Sequence, residues 1–389
     1  MTGTDARRMS VVGHIDLDGK GDLMHINVVD GVAYVGHMGY NELGTSIIDV
    51  SNPARPEVIT QIPRPAGTHS HKVQVKDSLL LVNHEKNRFE DNPMEWSAGM
   101  AIYDVSDPAS PQQIGFHPTT GTGIHRMAWW EGDHALVSSG EEGYSGRILG
   151  IVDLSDPTSP AEVGRWWYPG QHVAGGESSN WGMAAAPDVT QEGRQYNLHH
   201  ALPDGDRAYG GYWDGGLMIL DISNPASPRL ISQLEFGPQS RNTHTPLRLP
   251  GRDILIVTDE LIHRWIGVQR HVWVVDVADE TNPKVITRFP VPRGARHEDN
   301  IRWGPHNLHE MRPGSFTDPN LVYLTYFAGG LRAYDVSDAS NPVEVAHLVP
   351  PAPPGRDSIQ FNDVYAAEDG LVYVSDRFGD GLYIVDPGL

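Results

Sequence analysis

"TSIIDVSNPARPEV" (Thr45–Val58) decides the fold, because the chain writes it again and again. Copies read "GMAIYDVSDPASPQQI" from Gly99, "ILGIVDLSDPTSPAEV" from Ile148 and "GLMILDISNPASPRLI" from Gly216. "HVWVVDVADETNPKVI" follows from His271 and "GLRAYDVSDASNPVEV" from Gly330, and a shortened "GLYIVDPGL" starts at Gly381. The shared aspartates are Asp49, Asp104, Asp153, Asp221, Asp276, Asp335 and Asp386, separated by 49 to 68 residues. A fixed internal period of this size marks a repeat architecture with one supersecondary unit per copy.

The local chemistry says what that unit is. The runs before each aspartate alternate and are rich in β-branched residues, which favours strands over helices. In the Asp-x-Ser-Asn/Asp-Pro element the carboxylate can accept a nearby backbone N–H, while proline fixes φ and ends the ladder. Each copy has the same order: a first strand such as "HKVQV" (His71–Val75), a second such as "SLLLVN" (Ser78–Asn83), the "IYDV" strand, then a fourth such as "QQIGF". Four short strands per copy, in seven copies, predict an all-β chain: a seven-bladed β-propeller forming a single domain over residues 1–389. The seventh copy stops after its third strand, and "SVVGHIDL" near the N-terminus reads as a fourth strand. The N-terminal strand is therefore expected to complete the last blade. The "IIDVSNPARP" signature resembles the LVIVD-repeat family of bacterial and archaeal propellers. That resemblance covers nearly the whole chain and implies the fold, without implying one activity.

Composition narrows the function. Lys and Arg number 29 against 50 Asp and Glu, a net charge of −21, which repels phosphate backbones and argues against a nucleic-acid partner. No apolar run approaches a membrane span, so no membrane partner is expected. The sequence has no cysteine, no N-x-S/T sequon and no apolar leader after "MTGTDARRMS", which together lead us to expect the cytoplasm. Signatures of P-loop, dinucleotide-binding, zincin and nucleophile-elbow enzymes are missing.

Histidine supplies the remaining signal. Aligned on their first strands, the copies read "MHINVV", "SHKVQV", "IHRMAW", "LHHALP", "THTPLR", "LHEMRP" and "FNDVYA". One register then holds His25, His71, His125, His199, His244 and His309, with Asn362 in the seventh copy. First strands line the centre of a propeller, so these imidazoles converge, and neutral imidazole binds Fe, Cu, Mn or Zn. A packing histidine retained in each repeat would give a similar pattern. The flanking residues differ from copy to copy, however, where a structural device would more naturally keep its companions.

The expected metal ligands are His25, His71, His199, His244 and His309, holding one divalent transition metal (Fe, Cu, Mn or Zn). His69 and His125 are candidate general bases, with His25 a further one, and Glu85, Asp259 and Glu298 are candidate carboxylates to orient the ligands. His306, His200, His37, His84 and Glu260 lie near the same ends of the strands. Long connections open toward this face and carry Trp96, Trp166, Trp167, Trp181 and Trp265, candidates for the floor of a pocket. The expectation is a metal-dependent enzyme on a small organic substrate. An oxidoreductase or oxygenase comes first, by analogy with propellers that hold histidine-bound metals, and a lyase or hydrolase second. A non-catalytic binding scaffold is the alternative class.

Overall fold

A computed structural model describes residues 3–90, 94–179, 194–237, 241–262, 269–292, 294 and 301–389. Among these the chain is all-β; the only helical element is a single 3-10 turn, Val173–Gly175. The strands form antiparallel four-stranded meanders. Leu23–Val29, Val32–His37, Leu43–Asp49 and Glu57–Pro63 make one; Thr243–Arg248, Ile254–Asp259, Val272–Asp276 and Lys284–Arg288 make another. Two neighbouring meanders merge into one nine-stranded sheet through a single pairing, Gly123 opposite Glu85.

The repeat signature behaves as its chemistry requires. Asp49, Asp104, Asp153, Asp221 and Asp335 each accept the backbone N–H of the serine two residues on, at 2.8–2.9 Å. Ahead of that turn, adjacent isoleucines serve two neighbours. Ile47 packs with Val73, Leu80 and Val82 of the following sheet, and Ile48 with Tyr365, Tyr373 and Ile384 of another. Both are fully buried, each contributing roughly 1.5–3 kcal/mol. The core thus lies between sheets, the packing of a propeller. Burial falls from the first strand outward: Leu23–Val29 is buried except at its last residue, whereas Glu57–Pro63 is half-buried to exposed.

Adjoining sheets are joined at their inner ends by a repeated buckle from the second strand. Thr258 Oγ1 donates to His306 O, Thr325 Oγ1 to Asn362 O, and Ser375 Oγ to Met24 O, at 2.5–3.0 Å. Asn83 Nδ2 and Ser138 Oγ do the same for Ile124 O and Leu198 O. At the outer edge, Gly115 and Gly164 press against the turn of the next sheet; a Cβ would come within 2.1 and 1.9 Å of Pro157 O and Pro225 O. Gly13 meets Pro53 O the same way, so "SVVGHI" occupies the fourth-strand position that its sequence suggests. Ser10–Ile15 pairs with Gly381–Asp386. The strand before it, Asp5–Arg7, was not anticipated and pairs instead with Val343–Val349 of a different sheet.

Candidate metal centre

The histidines enter the centre through irregularities in the first strands. The register slips between Ile124 and Arg126, between Thr243 and Thr245, and between Phe361 and Asp363, leaving His125, His244 and Asn362 as extra residues. In the "THSHKVQV" segment the strand breaks between His69 and Val73, which frees His71. A bulged residue escapes strand alternation and can be re-aimed. An arc of rings results. His69 stacks on His71 with centroids 3.8 Å apart, His71 lies 4.9 Å from His125, and His125 lies 5.0 Å from His199. His199 stacks on His244 at 3.6 Å, and His244 lies 4.5 Å from His306.

Two histidines stand elsewhere than expected. His309 is outside the arc: its Nδ1 accepts from Ala366 N at 3.1 Å and its Nε2 faces Phe316 O at 2.8 Å, so neither nitrogen is spare for a metal. His306, three residues earlier, takes the arc position. His25 lies one residue past the arc, where Met24 stands. Its Nδ1 meets Val73 O at 2.6 Å, and its Nε2 is 3.5 and 3.6 Å from Glu310 and Asp363. At His25 the bulge between Leu23 and Ile26 breaks the period used for the alignment; around His306 and His309 the segment forms only isolated bridges, so no strand period applies. One signal survives both. Val73, Met127, Ala201, Leu308, Val364 and Ile26 each return to the apolar face two residues after the arc position, and aligning on them selects His306 and Met24.

Two groups within the arc offer three ligand atoms each within 4.8 Å of one another: His69, His71 and Glu85, and His199, His244 and Glu260. All six residues are buried. Asp259 does not join the second group; it accepts from Trp273 Nε1 at 3.0 Å, and Glu260 turns inward in its place. Glu298, Trp181 and Trp265 lie outside the described residues. Trp96 donates to Gly121 O, while Trp166 packs on Tyr212 and Trp167 on Tyr144 and His172; none of these three contacts the arc.

Burial sets the protonation of the arc. It holds His71, His199 and His244 well below the ordinary imidazole value, lowers His69 and His125 to about 3, and lowers His306 to about 4. The rings are therefore neutral near pH 7, the form that binds metals. His125 Nδ1–H donates to Glu85 Oε2 at 2.8 Å, and His306 Nδ1–H to Asn362 O at 2.5 Å, so each keeps an Nε2 lone pair. Burial alone would raise the Glu85 and Glu260 carboxyls. Their neighbours keep both ionised: the His125 hydrogen bond, then Arg88 and Arg147, for Glu85, and His244, then Arg302 and His306, for Glu260.

The unused atoms of the donor set suit a divalent transition metal. His69 Nε2, His199 Nδ1 and His244 Nε2 are buried without hydrogen-bond partners, which nitrogen-and-carboxylate ligation would remedy, whereas the equally unpartnered His71 Nε2 carries the proton once Asn83 Nδ2 faces Nδ1. The residues fit such an ion. Below the arc, Arg126 Nη2 pairs with Glu310 at 2.5 Å, and the unpartnered His200 Nε2 stands 3.6 Å from the same carboxylate. Two cavities of about 610 and 630 Å³ open at the opposite ends of the first strands around Trp130 and Pro313, away from the arc.

The LVIVD repeat model matches residues 20–62, 95–119, 144–167 and 204–235. No curated protein matches the chain. Among solved structures, the periplasmic gluconolactonase of Pseudomonas aeruginosa is similar at 12% identity and a TM-score of 0.62, over 91% of this chain and 96% of that one. The hypothetical selenium-binding protein of Sulfolobus tokodaii aligns at 14% identity and 0.59, covering 88% and 82%. The Cps50 (Swd1) β-propeller domain of Myceliophteria thermophila aligns at 12% identity and 0.59, covering 98% and 99%. At such identities the likeness is one of fold.

Proposed function

This chain is built of LVIVD repeats, and on that scaffold we propose a metal-dependent enzyme acting on a small organic molecule. The fold that serves it is one domain of seven blades, closed where Ser10–Ile15 joins Gly381–Asp386 and Ser375 buckles onto Met24; no helix of the described residues is long and apolar enough to cross a membrane. The observation that supports the function best is the His199, His244 and Glu260 group. It offers three converging ligand atoms, two of them buried nitrogens with no other partner. Two imidazoles and one carboxylate suit Fe(II) or a catalytic zinc with open positions. The bound ion would supply either O₂ chemistry or Lewis-acid polarisation of a substrate oxygen.

The protein's own contribution is orientation and a dry, neutral wall. Thr245 Oγ1, 2.8 Å from His244 Nδ1, fixes that ring with Nε2 toward Glu260, 3.6 Å away. His306 Nε2 approaches the same carboxylate at 3.5 Å, so it stands ready beside the group. An oxidoreductase is the first reading, because imidazoles outnumber carboxylates around the arc. The His125–Glu85 pair favours a hydrolase or lyase as the second: a neutral imidazole oriented by a carboxylate, with Nε2 free to take a proton, is the usual apparatus of general-base catalysis. The reaction would run in the cytoplasm on a small molecule, in a chain whose net charge of −21 disfavours nucleic acid.

Elemental analysis of tag-free protein by inductively coupled plasma mass spectrometry tests the proposal. Near-stoichiometric iron or copper supports the oxidoreductase and calls for O₂-uptake assays. Manganese or zinc supports the Lewis-acid enzyme. Absence of bound metal after reconstitution with each ion overturns the proposal and returns the arc to architecture.

A further inference from the structure

Asn362 is the arc position that is polar yet not a histidine, and its side chain faces a buried arginine. Its Oδ1 faces Arg377 Nη1 at 3.4 Å, and its Nδ2 is buried without a hydrogen-bond partner. Arg377 is only 9% exposed; its Nη2 rests 3.4 Å from Met38 Sδ and its Nε has no partner. Neighbouring Asp376 spends its carboxylate on the backbone N–H groups of Gln360 and Phe378, at 2.6 and 2.7 Å. Arg302 shares the same apolar platform. Its guanidinium lies 3.8 Å from the Phe327 ring centroid and that of Arg377 lies 5.9 Å from it. Arg302 is neutralised by Glu260. Two orphaned donors, one on a buried cation, remain side by side.

A buried donor without an acceptor is costly, at Arg377 Nε as at Asn362 Nδ2. Both costs end if an oxyanion occupies the place. We infer that this end of the arc binds the carboxylate of a small organic acid, so that the enzyme proposed above acts on an organic anion. The inference rests on that reading for the word substrate, though not for the binding. The two orphaned donors match the two oxygens of a planar carboxylate better than the oxygens of a tetrahedral phosphate. Arg–carboxylate hydrogen bonds are charge-assisted and correspondingly strong. A neighbouring opening of about 140 Å³ is lined by Arg302, Arg356, Asp357, Gln360 and Phe378, and does not include Asn362 or Arg377. His306 links this end to the metal group, facing Glu260 and Asn362 and lying 4.4 Å from the Phe327 ring.

The test uses full-length protein stripped of metal by chelation and titrated with acetate, acetamide and inorganic phosphate by calorimetry. Acetate should bind and acetamide should not. Arg377→Gln should weaken acetate at least tenfold, Asn362→Asp should abolish binding, and Arg377→Lys should restore part of it. The lysine and aspartate variants keep the test decisive should the glutamine variant fold poorly. No acetate binding, equal binding of acetamide, unchanged acetate affinity in Arg377→Gln and Asn362→Asp, or binding of phosphate alone each overturn the assignment. Metal content measured on the same variants should stay at the wild-type level. Acetate binding in a protein that takes up no metal would sink the metal proposal while leaving the carboxylate site standing.

Discussion

The two His–His–Glu groups contain the same residue types and differ in what already surrounds them. Around Glu85 the environment is closed. One oxygen takes the His125 N–H at 2.8 Å, the other faces Arg88 at 3.3 Å and Arg147 at 3.9 Å, and His71 Nδ1 meets the Asn83 amide at 3.2 Å. Around Glu260, Arg302 binds one oxygen, while His244 and His306 approach at 3.5–3.6 Å with ring nitrogens turned toward it. Asn83 has both a carbonyl oxygen committed to Lys72 N and an amide directed at His71 Nδ1. The His71 lone pair is thereby engaged, and its proton is placed on Nε2. Donor count alone therefore does not make a metal site; the tautomer imposed by the second layer of partners decides which ring can ligate.

The sharpest way to break this distinction is substitution at each end. His244→Ala should lose its bound metal after dialysis, by elemental analysis, whereas His71→Ala should retain it. Equal loss from both would show the groups to be equivalent. Acid gives the next largest effect. His69 and His125 titrate near 3 and His306 near 4 in the folded protein, below the ordinary 6.5. Groups with depressed histidine pKa values make the unfolded state bind more protons, so stability is full above pH 6.5 and falls as the pH drops toward 4 and 3. At pH 5 each histidine costs on the order of 2 kcal/mol. Urea unfolding across this window should show a steep loss, and metal should oppose it in the wild type but not in His244→Ala. A flat profile would mean that these rings are protonated in the fold. The smallest effect belongs to the closed end. Glu85→Gln leaves buried Arg147 and His125 short of their acceptor, at a cost of about 3 kcal/mol in urea unfolding with metal content unchanged. Loss of metal without loss of stability would reverse the roles given to the two ends.

Much of the fold was legible because its signals are local. An aspartate followed two residues later by serine closes the same turn wherever it occurs, and Gly13 shows by its contact with Pro53 why "SVVGHI" resembles "QQIGFH". Strand Asp5–Arg7 was not legible, since "DAR" has no alternation and is held by backbone pairing with two surface side-chain contacts, Asp5 to His347 and Arg7 to Glu344 O. At the site, His71, His125, His199 and His244 stand in the arc. His25 stands outside it because a bulge between Leu23 and Ile26 adds a residue to the strand, and His309 because its segment forms only isolated bridges, with no strand period to follow. Glu260 was passed over for Asp259, its neighbour. Nothing in "VTDE" tells which carboxylate turns inward until Trp273 is seen to hold Asp259. Asn362 looked like a gap in a histidine pattern, and its meaning appears only beside Arg377.

The pairing of Ser10–Ile15 with Gly381–Asp386 has a consequence in time. A ribosome delivers Ser10 long before Asp386, its partner in the sheet. At ordinary synthesis rates the wait is roughly 20–75 s. Throughout it, the two N-terminal strands have no permanent ladder to join, and the earlier sheets can assemble while these edges stay open. Such edges are the places where one chain can pair with another, and the exposed, charged "DAR" suits a strand that must stay single until its partner is made.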